Sequence, residues 1–434
     1  MNAAVIKPKK ESIINVSFVL AMLILTIIST SNTMISQYRA VYVKTVLGGS
    51  ATAAGIVGMW WTYGSMIVRI FVGKISTKVG SKKLVLVGSI FYGLTLASAA
   101  LTTTVPQFTI SILFQAVCHP FCYIAANSVL ASSVPRGQEG LGTYLFVGLP
   151  TAISTSVAPI IANYCISNYN YGAMFFSAGL LMVFSAVLAI VLILFARKNR
   201  SAAIAEDIRD KATQNEADKT ALNEADKTAL DENGRPYKGI WGFFERKALG
   251  PCLLQILGNL AELAVLFYIT MYAAEMGVPQ NAVAFFSVVA VVQLICTLGL
   301  GTIMDRFGLL AVMIPAVVGG IAAYLVLLTG GLSYTAWIVA AIGYGISSGC
   351  LRPTFNAGML KIVPRNRLSV ATSNFALATS IGGGITNVVV GALIDAGGYR
   401  TVWIFCITMY VVLFVASVIV FRKLLGRNHN QQPV

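Results

Sequence analysis

Apolar residues fill this chain in blocks of about twenty or more, longer than the core helices of soluble domains require. Twelve blocks are read at 13–38, 51–73, 82–101, 106–131, 140–165, 171–196, 249–275, 280–303, 309–329, 333–361, 368–393 and 398–422. Roughly 20 apolar residues carry a helix across the hydrocarbon core. Lipid offers no partner to backbone N–H and C=O groups, so such blocks have to satisfy their own bonds as helices. The chain is therefore expected to be an all-α integral membrane protein with about twelve transmembrane helices. Only 11% of the 434 residues are charged, against about a quarter in soluble domains.

The net charge of +15 reports orientation. Basic residues gather beside alternate blocks, among them Lys7, Lys9, Lys10, Lys82, Lys83, Arg136, Arg197, Arg246, Arg306, Arg365 and Arg422. The opposite side holds little beyond Arg39, Lys44 and Arg400. By the positive-inside rule, both termini are expected on the cytoplasmic side of the cell membrane. A nucleic-acid partner would need a soluble module with groove-reading elements, and none is visible. The first block follows three lysines, runs too long for a signal peptide and lacks a small-x-small cleavage site, so it reads as an uncleaved helix. The seven cysteines lie in apolar blocks and act as small hydrophobes, not as a disulfide framework.

One long polar stretch, 197–247, divides the chain into a bundle at 1–196 and a second at 248–434. It contains a tandem octapeptide, NEADKTAL at 215–222 and again at 223–230, and reads as a cytoplasmic linker. The two sets of six blocks resemble each other. Gly73-x6-Gly80 after the second block returns as Gly301-x6-Gly308 after the eighth, and Val134-Pro135-Arg136 returns as Val363-Pro364-Arg365. The offsets, 301 − 73 = 228 and 363 − 134 = 229, nearly coincide. That agreement predicts an internal repeat of six spans in parallel orientation: two pseudo-symmetric six-helix bundles with a substrate site between them near the midplane.

The loop after the second block reads Gly73-Lys74-Ile75-Ser76-Thr77-Lys78-Val79-Gly80-Ser81-Lys82-Lys83. It resembles the G-x-x-x-D-[RK]-x-G-x-[RK]-[RK] loop of the major facilitator superfamily, with Thr77 where that family carries an acid. The second copy keeps the acid, as Gly301-Thr302-Ile303-Met304-Asp305-Arg306-Phe307-Gly308, and loses the trailing bases. The glycines suit a tight turn and close helix approach. The resemblance implies a gating role for Gly73, Lys78, Gly80, Lys82, Lys83, Gly301, Asp305, Arg306 and Gly308, with Arg69 on the same helical face as Gly73. Gly148-Leu149-Pro150 and Ala158-Pro159 in the fifth span form a degraded version of a stretch found in drug and metabolite exporters of that family. They point the resemblance towards its efflux-type branch.

Ionisable residues inside a bilayer are expensive and are functional candidates for that reason. Glu262 falls near the middle of the seventh span, where burial favours the neutral, proton-binding form. It is a candidate for proton coupling or for an ion pair. Arg352 in the tenth span is in reach of Glu262 if those spans face each other, as the resemblance implies, or it binds an anionic group on the solute. His119, mid-span in the fourth, is a candidate for proton or substrate handling, against a hydrogen-bonded packing role. Cys118 and Cys122 flank it, but too few ligands converge for a metal site. Asn32, Gln37, Arg39, Asn127, Gln255, Asn259 and Asn356 complete the cavity candidates, although such groups also serve simply to hold helices together. Trp60, Trp61 and Tyr63 read as packing or interface anchors, and Gly382-Gly383-Gly384 as a site of close helix packing.

No phosphate-binding loop and no triad or metalloprotease pattern stands out, so no enzymatic chemistry and no cofactor are expected. The sequence is read as a secondary transporter, acting as a monomer. It is expected to expel a small organic solute in exchange for protons by alternating access. An uptake symporter is the alternative, and a non-transporting receptor or a channel a remoter one.

Overall fold

The computed structural model describes residues 16–132, 139–207, 245–330, 333–363 and 367–429. Ten long helices follow one another: α1 (Val16–Thr45), α2 (Ala51–Val79), α3 (Ser81–Ser98), α4 (Val105–Ser132), α5 (Glu139–Asn168), α6 (Tyr171–Asp207), α7 (Leu249–Glu275), α8 (Pro279–Phe307), α9 (Leu309–Leu328) and α10 (Tyr334–Ile362). The stretch Leu368–His429 is broken at Gly398, whose φ of 69° lies in the left-handed region. Its two arms, 368–397 and 399–429, are α11 and α12. Eleven continuous helical stretches have the length and apolarity to cross a membrane, and the kink in the last makes twelve crossings. The expected all-α architecture stands.

The repeat is written into the backbone. Gly48 and Gly277 both take positive φ, 67° and 73°, just beyond α1 and α7, and lie 229 residues apart. Gly80 and Gly308, at 89° and 83°, lie 228 apart and separate α2 from α3 and α8 from α9 as single-residue breaks. Only glycine takes such conformations without a Cβ penalty. One expectation needs correction here. The segment from Gly73 to Val79 is not a loop, because α2 stays helical to Val79. Neither proline nor glycine interrupts residues 74–79, so nothing ends the helix before Gly80, whose N–H reaches Ser76 O at 3.0 Å. The sixth helix, α6, runs on to Asp207. The octapeptides, Val134-Pro135-Arg136 and Pro364-Arg365 lie outside the described residues.

Within each half, the third helix packs on the fourth and sixth. Ser89 on α3 meets Ser185 on α6 at 3.2 Å, and the Tyr324 ring on α9 lies 5.9 Å from that of Tyr410 on α12. The halves meet through α1 on α7, α2 on α11 and α5 on α8. Close approach of α2, α7 and α11 depends on the expected glycines. A Cβ on Gly384 would sit 2.4 Å from the Tyr63 ring, and one on Gly382 would sit 3.0 Å from Ile256 Cα.

Candidate functional site

At one end of the bundle the halves are sealed. Lys44 Nζ, at the end of α1, lies 2.7 Å from Glu275 Oε1 at the end of α7, and Tyr399 OH donates to the same oxygen at 3.2 Å. Asp395, at the close of α11, accepts from the backbone N–H of Ala51 at 3.0 Å and of Thr52 at 2.7 Å. These are the first N–H groups of α2, which no helical carbonyl can reach. Ser50 Oγ takes the next, from Ala53 N, at 3.0 Å. The N-terminus of α2 is thus capped largely by a carboxylate of the other half. Deeper in, Tyr268 OH on α7 donates to Asn387 O on α11 at 2.7 Å, and Thr270 Oγ1 donates to Gln37 O on α1. Gly55 makes room for this, since a Cβ there would fall 2.2 Å from Asn387 O.

Below the seal, both halves carry charges within their spans. Glu262 on α7 is half-buried, and Arg352 on α10 is exposed. The charge of Arg352 acts on the Glu262 carboxyl, although the two form no direct ion pair. Arg69, also exposed, feels Arg352 across the halves and lies near Tyr123 and His119. The lone-arginine signal in an apolar span was present in the sequence. The charge of Arg69 acts among His119, Tyr123 and Arg352, away from the turn at Gly80.

His119 is 4% exposed, and neither ring nitrogen has a hydrogen-bond partner. Its ring lies 5.2–5.3 Å from those of Trp61, Tyr92 and Tyr123. A hydrogen-bonded packing role, one of the two expectations, is therefore corrected: the contacts are aromatic. Arg39 belongs to the buried part of α1, not to a flanking loop, and its guanidinium carbon lies 5.9 Å from the Phe267 ring centre.

The remaining candidates separate by what they touch. Gln255 Nε2 donates to Asn259 Oδ1, and Asn259 Nδ2 to Thr379 O, both at 2.8 Å, so this pair ties α7 to α11. Asn127 Nδ2 donates to its own helix at Tyr123 O, and Asn32 Oδ1 accepts from Tyr92 OH at 3.4 Å. Gln37 is fully buried with both side-chain polar atoms unpartnered, and Asn356 is half-buried one turn beyond Arg352. Among the gating candidates, Lys82 is half-buried and Lys83 and Arg306 are exposed. The side chains at Gly73, Lys78, Gly301 and Asp305 lie outside the described residues.

Sequence missed one buried ion pair. Arg367 Nε, entering α11, meets Glu245 Oε2 ahead of α7 at 2.9 Å, with side-chain exposures of 2% and 5%. Both residues flank apolar blocks and look like ordinary loop charges, so no local signal marks them.

Residues 18–368 match the sequence profile of the Major Facilitator Superfamily. An uncharacterized MFS-type transporter of Methanocaldococcus jannaschii is 21% identical over 389 residues, covering 88% of this chain and 92% of the relative. The crystal structure of the nucleoside transporter NupG is similar in fold, with TM-score 0.71 and 15% identity, over 94% of this chain and 100% of that one. A POT family transporter in complex with a thioalcohol conjugated peptide gives TM-score 0.71 and 14% identity, over 94% and 96%. Two matching bundles, a sealed inter-half end and a family profile spanning most of the sequence agree: this chain is a transporter, not an enzyme, and belongs to the Major Facilitator Superfamily.

Proposed function

We propose that this transporter expels a small organic solute across the cytoplasmic membrane by proton-coupled antiport, with Glu262 as the proton-carrying group. One observation carries the reading. Among the described residues Glu262 is the only carboxylate away from the helix ends, and it stands half-buried on α7 with Arg352 near it. A carboxyl in that position is neutral when proton-loaded and charged when empty, and the change is felt by the arginine of the facing helix. Glu262 loads a proton when the site faces outward and releases it when the site faces inward. The asymmetry of basic residues supports placing both termini inside, which makes the end sealed by Lys44, Glu275 and Asp395 the outer one. The Gly148–Pro159 stretch of α5 supports the export direction. The linker 197–247 joins the two bundles.

The test is reconstitution into liposomes with an imposed pH gradient and a solute library. Wild type is expected to accumulate solute in an acidic lumen. Glu262→Gln is expected to lose gradient-driven accumulation while keeping solute–solute exchange. Gradient-driven flux unchanged in Glu262→Gln removes the residue from the mechanism. Accumulation driven from an acidic exterior would assign symport instead.

A further inference from the structure

Charges inside the spans do not balance. Away from the helix ends, the described residues place Arg39 on α1, Arg69 on α2 and Arg352 on α10 against a single carboxylate, Glu262 on α7. An arginine within the bilayer is costly unless something compensates it. Glu262 is able to neutralise one of the three and, when protonated, none.

The positions of these arginines follow from helix geometry. Arg69 precedes the end of α2 at Val79 by ten residues, and Arg352 precedes the end of α10 at Ile362 by ten. At 1.5 Å per residue both lie about 15 Å along their helices from the ends on the linker side, one contributed by each half. Both are exposed, and each is within electrostatic reach of the other. Arg39 sits further along the path, six residues from the end of α1 at Thr45 and so about 9 Å inside the sealed end. Only 3% of it is exposed. Its surroundings are the Phe267 ring, the side-chain oxygen of Asn387 and the bare backbone of Gly58. A Cβ on Gly58 would fall 2.8 Å from Arg39 Nη2 and 2.3 Å from Asn387 Oδ1. That space is kept clear for a guanidinium, and among the described residues no carboxylate is paired with it.

We infer that the solute carries an anionic oxygen group, a carboxylate or a phosphate, which Arg69 and Arg352 grip together from the two halves and which Arg39 meets once the sealed end opens. This rests on the transporter reading above and names its substrate class. The planar donor fork of arginine matches such groups with two parallel bonds. Empty, the pair repels and holds the halves apart on the linker side; with an anion between, the same pair draws them together. Closure from that side thereby depends on loading.

The pathway potential is measurable without knowing the solute. Asn356 lies one turn beyond Arg352, so Asn356→Cys in a chain cleared of its seven cysteines places a thiol there. Detergent-solubilised protein is reacted in parallel with sulfonatoethyl and trimethylammonioethyl methanethiosulfonate, anionic and cationic respectively. Relative to the same pair on a small free thiol, the anionic reagent is expected to be favoured about tenfold. Arg69→Gln and Arg352→Gln should each cut that preference severalfold, and the lysine substitutions should retain it. Equal or faster reaction of the cationic reagent overturns the inference. The wild-type chain supplies a second measurement if the cysteine-free chain does not fold. Its melting temperature should rise with millimolar glucose 6-phosphate or benzoate, and not with glucose or benzamide. Equal stabilisation by the neutral partners, or none by either anion, counts against an anionic solute. Neither arm uses a proton gradient, so failure of the Glu262 coupling would leave both results standing.

Discussion

Replacing Asp395 with alanine removes the cap that one half of the molecule supplies to a helix of the other. The carboxylate holds the N–H groups of Ala51 and Thr52 at 3.0 and 2.7 Å. Losing an N-terminal cap costs about 1 kcal/mol, and an anion at a helix N-terminus adds about 0.3–1 kcal/mol. Asp395 is exposed, which argues for the lower part of that range, and Ser50 still caps Ala53. A total of about 1.4 kcal/mol remains, equivalent to roughly a tenfold shift of the equilibrium from the sealed to the open arrangement of this end. Spin labels at Val46 and Met276, exposed positions flanking the seal on opposite halves, report it by pulsed dipolar distance measurement in lipid. The long-distance population should grow about tenfold relative to the short one in Asp395→Ala. Asp395→Asn, which keeps an acceptor oxygen and loses the charge, should fall between. Populations within twofold of wild type would refute the view that this carboxylate holds the halves together.

Other substitutions test neighbouring features. Lys44→Ala breaks another inter-half contact at the seal, but the two side chains of that pair are 34% and 35% exposed; below about 1 kcal/mol is at stake, so the same labels should move less than in Asp395→Ala. Gly55→Ala sets a methyl against the Asn387 carbonyl and should leave a folded protein that cannot seal, read as a constant long distance and lost transport. Arg367→Leu leaves Glu245 buried without the Arg367 guanidinium and should destabilise the protein by about 3–5 kcal/mol, while Glu245→Leu together with Arg367→Leu recovers most of that loss in thermal unfolding. His119→Phe keeps the aromatic contacts and removes two unpartnered nitrogens, so melting temperature should hold or rise. A parallel loss of transport would assign the imidazole to the pathway.

Much of the architecture was legible because its causes are local or periodic. Span length follows from bilayer thickness, and the repeat showed in paired glycines whose backbone conformations the structure then displayed at Gly80 and Gly308. The end of α2 departs from the sequence expectation for a physical reason: a segment framed by two glycines has the look of a loop, yet only the second of them breaks the helix. The polar candidates divided less predictably, since an asparagine facing a neighbouring helix and one facing a solute path have the same sequence context. Asn259 found the Thr379 carbonyl 120 residues away, and Asp395 found α2 across some 340. Contacts of that range depend on how whole bundles meet, and no local pattern encodes them.

Several bonds that join the halves at the sealed end terminate on main-chain atoms: the carbonyls of Gln37 and Ala51, and the amides of Ala51 and Thr52. Backbone groups are present whatever residue occupies the position, so side chains nearby are free to vary without unlocking the door. At this end, what is grasped is thereby independent of side-chain identity. A redesign of Gln37, Ala51 or Thr52 has room to change the side chain while leaving the main-chain atom that closes this end in place.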